Sequence, residues 1–204
     1  MKKKLVIFAK NPVEGQVKTR ISNMIGTGKA LQVYNYLFEQ TLDAVSILPE
    51  NIEVTIFFSD NFEDELYNSK RPFNQQIQSG KDLGERMSNA FLEEFKSFIG
   101  KVCLIGTDIK GLDNIIIEEA FDYLEENDIV LGPASDGGYY LIGMKQYYPE
   151  IFRDIEMGKS SVLKETIERI KLSELKFTLL PILSDVDEFE DIPEDIIRRL
   201  NLNQ

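Results

Sequence analysis

Short apolar runs alternate with stretches of helical periodicity along most of this 204-residue chain. Leu5 to Ala9 is apolar without interruption and gives way to a polar loop from Lys10 to Gly26, so it reads as a buried strand. Ile52 to Ser59 is rich in β-branched and aromatic residues and predicts a second strand. Lys101 to Gly106 predicts a central strand, and Gln75 to Gln78, Asp128 to Gly132, Tyr139 to Met144 and Lys176 to Ile182 predict further ones.

Helical spacing fills the intervals. Ala30, Val33, Tyr34, Leu37, Thr41, Leu42 and Val45 share one face of a helix predicted over Gly28 to Leu48, which Pro49 closes. Leu83, Met87, Ala90, Phe91, Phe95 and Phe98 mark a second over Asp82 to Phe98, with Asp82 placed to cap it. Asn114 to Glu126, Ser160 to Leu172 and Pro193 to Leu200 follow, and Asn61 to Ser69 predicts a short helix. Strand–helix alternation predicts an α/β fold in three layers, α/β/α, with a mostly parallel sheet. Tyr139 to Met144 follows its predecessor too closely for a crossover helix and predicts an antiparallel or rearranged edge. Length and the lack of a linker or repeat predict one domain over residues 1–204.

Composition narrows the function classes. A net charge of −12 argues against a nucleic-acid or anionic-membrane surface. No apolar run approaches the roughly 20 residues that cross a bilayer, and the basic start has too short an apolar run for a signal peptide. Cys103 is the one cysteine and lies inside an apolar run, which predicts a buried side chain and a cytoplasmic protein. The absence of histidine excludes imidazole catalysis and His-ligated zinc.

Three segments carry candidate chemistry. Lys10 to Arg20 follows the first strand and holds Lys10, Lys18 and Arg20 on a loop shaped by Pro12 and Gly15. Such cations can neutralise phosphate, although a solvated surface loop fits the composition equally. The loop matches neither G-x-x-x-x-G-K-[ST] nor G-x-G-x-x-G. Asp108 ends the central strand, where a carboxylate can hold a divalent cation or cap the next turn; Asp113 fits a cap. Asp136-Gly137-Gly138-Tyr139 follows the apolar run 129–133, placing a second carboxylate on what reads as a neighbouring strand. It fits a tight turn beside a ligand and equally a hairpin. Tyr139 and Tyr140 should face opposite sides of the sheet. Asp185-Val186-Asp187 with Glu190 and Asp191 is a third acidic block, a solvated face unless it folds back to Asp108. Arg86 reads as a surface residue or a phosphate contact.

Together these blocks resemble a known pattern. Residues 5–20, Gly80 to Met87, Ile105 to Asp108, Leu131 to Gly143 and Asp185 to Asp191 are similar, in order, to an uncharacterised bacterial glycosyltransferase-like family of GT-A, or nucleotide-diphospho-sugar transferase, fold. It is the group associated with radical-SAM and selenodomain proteins. The layout is more distantly similar to phospholactate guanylyltransferase and the molybdenum-cofactor nucleotidyltransferases. The resemblance implies a transferase that uses a nucleoside triphosphate or nucleotide sugar with Mg²⁺ or Mn²⁺. Nucleotidyl transfer to a small phosphorylated or hydroxyl acceptor is preferred to glycosyl transfer. The nucleotide is expected at Ala9, Lys10, Asn11, Gly15, Lys18, Arg20, Asp82, Gly106 and Thr107, with Lys18, Arg20 and Asp108 catalytic. The metal is expected on Asp108 with Asp187 or Asp185, and the acceptor at Asp136, Gly137, Gly138 and Tyr139. A homodimer is left open. One departure stands out: Ile109-Lys110 replaces the Cys-Pro that commonly follows Gly-Thr-Asp, adding a cation beside the proposed metal. It keeps a non-catalytic nucleotide-binding module as the alternative of another class.

Overall fold

A computed structural model describes residues 2–60, 70–97 and 99–202 of the chain. In chain order the elements are β1 Lys2–Ala9, α1 Thr19–Ile25, α2 Thr27–Ser46, β2 Ile52–Phe58, β3 Asn74–Ile77, α3 Leu83–Ser97 and β4 Gly100–Ile105. There follow β5 Ile109–Lys110, α4 Asn114–Tyr123, β6 Ile129–Pro133, β7 Tyr139–Met144, α5 Val162–Leu172, β8 Phe177–Leu179, β9 Ser184–Asp185 and α6 Glu194–Arg199. The helix expected over Asn61 to Ser69 lies outside the described residues.

Seven strands form one sheet in the order β3-β2-β1-β4-β7-β6-β8. Every pair is parallel except those of β7, which runs antiparallel to both β4 and β6. This confirms the mostly parallel α/β sheet and corrects one detail. The antiparallel strand is not an edge: it separates β4 from β6, so Asp108 and Asp136 do not end neighbouring strands.

The pleat explains the layers. Alternate residues of β1 enter opposite cores: Leu5, Ile7 and Ala9 pack with Tyr34 and Phe38 of α2 and Phe121 of α4. Val6 and Phe8 pack on the other face with Met87 and Phe91 of α3 and Ile170 of α5. Cys103 and Leu104 of β4 divide the same way. With both faces covered, the inner strands can be apolar throughout, which is why they stand out in the sequence. Cys103 is buried, and burial drives its thiol pKa far upward.

Two caps fall where expected: Asp82 Oδ1 accepts from Glu85 N at 2.9 Å, and Asp113 accepts from Ile116 N at 2.9 Å. The polar loop after β1 is shorter than expected, because Thr19–Ile25 is helical. A third apolar cluster joins Ile21 of α1 and Val33 and Leu37 of α2 to Val186, Ile192, Ile196 and Leu202. It fastens the last part of the chain beside the first loop. Among the described residues no helix is long and apolar enough to cross a membrane.

Candidate functional site

The carboxyl edge of the sheet is assembled around a two-stranded ribbon. Ile109 and Lys110 pair antiparallel with Asp185 and Ser184, and Val186 N donates to Asp108 O at 2.9 Å. The ribbon brings the third acidic block against the end of β4, so Asp187 stands near Asp108 although the two are far apart in sequence. Val186 is fully buried between two carboxylates that are not. Val186, with Phe189 packed against the same apolar cluster, anchors an acidic run.

Lys18 fills the space between them. Its side chain is 3% exposed, its Nζ donates to Val186 O at 2.7 Å, and the same atom lies 2.6 Å from Asp108 Oδ1 and 3.9 Å from Asp187 Oδ1. The contact with Asp108 is a charge contact off the hydrogen-bonding direction, and Asp108 Oδ1 is sheltered without an aligned donor. Lys18 adopts a left-handed backbone, φ 48°, as it enters α1. Arg20 Nη1 lies 3.2 Å from Asp187 Oδ2. These residues line a cleft of about 220 Å³ with Lys10, Val17, Thr19 and Tyr34.

The loop that carries the cations is held at several points. Tyr34 of α2 donates its hydroxyl to Lys10 O at 2.6 Å and accepts from Lys10 N at 3.0 Å. Thr27 Oγ1 donates to Glu14 Oε1 at 2.6 Å, and the turn at Gly15 closes with Gln16 N donating to Val13 O at 3.0 Å. Asn11 Nδ2 bonds the Asp60 side chain, and Ala9 O accepts from Ser59 N at 2.9 Å.

A second cleft, of about 270 Å³, lies across the same two carboxylates. Asp108 and Asp187 belong to both clefts, and the second adds Gly106, Asp136, Gly138, Tyr139 and Asp185 among others. Asp136 Oδ1 accepts from Gly138 N at 2.8 Å, so Asp136 shapes the glycine turn as its hairpin reading required. Gly137 has φ 91°, and its carbonyl accepts from Leu163 N at 2.9 Å. Tyr139 borders the cleft, but its hydroxyl is buried beside Thr166 and its pKa is raised by that burial. Tyr140 also lines the cleft and donates to Pro181 O at 3.0 Å, so the two tyrosines share one cavity despite alternating on the strand. Burial raises the Asp185 pKa first, and the charges of Asp136, Asp187 and Asp191 add to the shift, against a lowering hydrogen bond from its own backbone.

Not every expected residue converges here. Asp82 lines a different cavity, with Lys81, Glu85 and Ser88. Arg86 is half-buried and donates Nε to Gly80 O at 3.1 Å, where a Cβ on Gly80 would meet Arg86 N at 2.8 Å. The Gly80–Arg86 block is thereby accounted for as a helix entry. Gly15 borders neither of the two clefts, and Thr107 is buried. Lys110 is exposed on the ribbon and lines neither cleft, so the cation beside Asp108 is Lys18. Sequence reasoning missed Tyr34, taken only as a core-facing residue, and Met157, Lys159 and Val162 in the second cleft.

Among the described residues no three carboxylate or thiol side chains form a ready metal cage. Two carboxylates suffice for a hard cation such as Mg²⁺, which ordinarily takes one or two from protein and the rest from phosphates and water. Asp108, whose Oδ1 is in charge contact with Lys18 Nζ at 2.6 Å, and Asp187 across from it are the pair whose chemistry suits that role.

No curated protein matches the sequence significantly. Among solved structures, one provisionally described as a nucleotide-diphospho-sugar transferase, from Desulfovibrio desulfuricans G20, is 30% identical with a TM-score of 0.86, over 100% of this chain and 90% of that one. The inositol-1-phosphate CTP transferase of T. maritima is 12% identical with a TM-score of 0.59, over 98% and 95% of the two chains. A cytidylyltransferase from Leptospira borgpetersenii is 14% identical with a TM-score of 0.60, over 100% and 95%. The last two share the fold. The sheet is therefore of the nucleotide-diphospho-sugar transferase type. Residues 42–159 match the family described as "Uncharacterized protein conserved in bacteria (DUF2064)", and the chain belongs to that family.

Proposed function

We propose that the chain is a metal-dependent transferase that binds a nucleoside triphosphate or a nucleotide sugar, with nucleotidyl transfer the preferred reaction. One observation carries this reading: a cleft rich in cations and a cleft rich in carboxylates meet at Asp108 and Asp187. Donor phosphates fit the first, beside Lys10, Lys18 and Arg20; the acceptor fits the second, beside Asp136, Gly138 and Tyr139. The 30% identical neighbour and the cytidylyltransferases of like fold support the donor class.

Asp108 and Asp187 would hold Mg²⁺ or Mn²⁺, with Asp185 in reserve on the same segment. A divalent cation there supplies neutralisation of phosphate oxygens and polarisation of the reacting phosphoryl group. Lys18 and Arg20, ion-paired to those carboxylates in the present arrangement, turn their charge toward the phosphates and stabilise what develops on the leaving group. The acceptor oxygen forms a bond to the α-phosphorus in line, the bond to the bridging oxygen breaks, pyrophosphate leaves, and the acceptor proton passes to water. No covalent protein intermediate is needed. The place of action fits a cytoplasm that supplies both nucleotide and Mg²⁺.

A thermal-shift and calorimetric screen of nucleoside triphosphates and sugar nucleotides, with and without Mg²⁺ or Mn²⁺, tests the reading. Wild type should be stabilised by a nucleotide with metal and Asp108→Ala should not. Identical responses, or none, reject the site. Pyrophosphate release then identifies nucleotidyl transfer, and nucleoside diphosphate release identifies glycosyl transfer. Tight nucleotide binding with no turnover over a broad acceptor panel identifies a binding module instead. The sequence feature behind that last alternative loses force, because Lys110 stands outside both clefts.

A further inference from the structure

The charge of the second cleft narrows the acceptor. Its walls are apolar where Leu83 and Met87 of α3 face Met157 and Val162, and Tyr139 completes them. Its polar lining is almost wholly acidic: Asp108, Asp136, Asp185 and Asp187 stand against a single lysine, Lys159. That lysine is exposed and ion-paired to Glu156, 2.6 Å away. The three cations of the first cleft, Lys10, Lys18 and Arg20, do not line the second. Were Asp108 and Asp187 neutralised, by Lys18 or by a metal, Asp136 and Asp185 would remain.

A phosphate or carboxylate entering this cavity meets four carboxylates, three of them partly sheltered, against one exposed lysine, and like-charge repulsion disfavours it. A protonated amine meets Asp185 and the Oδ2 of Asp136, whose Oδ1 already accepts from Gly138 N, and a hydrocarbon portion covers the methionine, leucine and valine walls. We propose that the second cleft binds a cationic, partly apolar hydroxyl compound, an amino alcohol rather than a phosphorylated acceptor. The word acceptor rests on the transferase reading, whereas the charge preference of the cleft does not.

The test uses aminohexanol, hexanediol, hydroxyhexanoate and hydroxyhexyl phosphate, which share one carbon chain and differ in charge. Their dissociation constants are measured at millimolar concentrations by ligand-observed NMR on the full chain, without nucleotide or metal. Aminohexanol should bind about tenfold or more tighter than either anion, with the diol between them. Asp136→Asn preserves the acceptor for Gly138 N and should narrow that gap, as should Asp185→Asn; thermal melts confirm that each variant is folded. Equal or tighter binding of an anion overturns the proposal, as does no binding of any compound, or a gap unchanged in both folded variants. Nucleotide binding is titrated separately on the same samples. If it fails while the charge order holds, the cleft assignment stands and the transferase reading falls; the reverse result removes only the cleft assignment.

Discussion

Replacing Lys18 with methionine tests whether this lysine is the internal cation of the site. The substitution keeps most of the side-chain length and removes the charge. Val186 O loses a charged donor at 2.7 Å in a buried setting, worth about 1.5–3 kcal/mol. Asp108 and Asp187 lose a neighbouring ammonium, but both side chains are 45% exposed, so solvent screening holds that contribution to about 1 kcal/mol or less. Part of the loss is offset because the buried ammonium no longer has to be desolvated. The net expectation is a loss of about 2 kcal/mol, or roughly 4–8 °C in melting temperature for a chain of this size. Urea titration and calorimetry measure it. The backbone at Lys18, φ 48°, adds an internal control: Lys18→Gly should be about 1 kcal/mol more stable than Lys18→Ala, since both lose the contacts and only alanine keeps the left-handed strain. Saturating Mg²⁺ or Mn²⁺ should raise the melting temperature of Lys18→Met more than that of wild type, because a metal no longer competes with Nζ for Asp108 Oδ1. A variant as stable as wild type, with an equal metal response in both, refutes the reasoning.

Three further expectations follow from other parts of the molecule. Gly137→Ala puts a Cβ against Ser160 O on a backbone with φ 91°, so denaturant titration should show a loss of about 3 kcal/mol or more; a neutral effect would refute the close approach of the two segments. Asp128 is pushed upward by burial, but Lys145, the backbone of Lys176 and Tyr148 outweigh this and hold its pKa below the ordinary value. Its contribution is therefore full above the unfolded pKa of about 4 and lost as pH falls through the folded value. The stability difference between wild type and Asp128→Asn should shrink on acidification, and a gap that widens below that pH contradicts the sign. Ile196→Ala opens the cluster that ties α6 to α1 and α2, costing about 2–5 kcal/mol. Because Val186 belongs to the same cluster, nucleotide affinity measured by titration calorimetry should also fall, whereas unchanged affinity would separate the anchor from the site.

The parts of the fold legible in the sequence are those where burial is complete. β1, β2 and β4 lie inside a sheet covered on both faces, so most of their buried positions are apolar and read as runs, with Lys4 and Lys101 as buried exceptions paired to Glu94 and Glu125. What escaped notice depends on contacts distant in sequence. β6 and β7 read as a hairpin, but the insertion of β7 beside β4 is set by pairing Val102 to Ile105 with Met144 to Leu141, which no local pattern encodes. α1 is seven residues with one fully buried position, Ile21, too few for a period to emerge. β5 and β9 have two residues each and no alternation to read. The candidate site was legible as separate pieces. Lys18, Asp108 and Asp187 are each visible as charges next to an apolar residue, but their meeting depends on the ribbon. Tyr34 shows the opposite error: its helical spacing correctly places its ring in the core, while its hydroxyl reaches the loop at Lys10.

The ribbon also accounts for Ile109-Lys110, where the resembled family commonly has Cys-Pro. Proline at either position would fix φ, and at position 110 it would leave a β5 residue without an N–H to donate. Ile109 and Lys110 instead form both pairs of β5 with β9, Ile109 packing against the core and Lys110 facing outward. The two residues thus form the strand that holds Asp108 against the Asp185–Asp187 segment. The charge of Lys110 is exposed and lines neither cleft. The cation that governs Asp108 comes from the first loop, and the restraint on Asp187 comes from the last apolar cluster. The first loop and the Asp185–Asp187 segment meet at the wall between the clefts, so the spacing of Asp108 and Asp187 reports on the integrity of both.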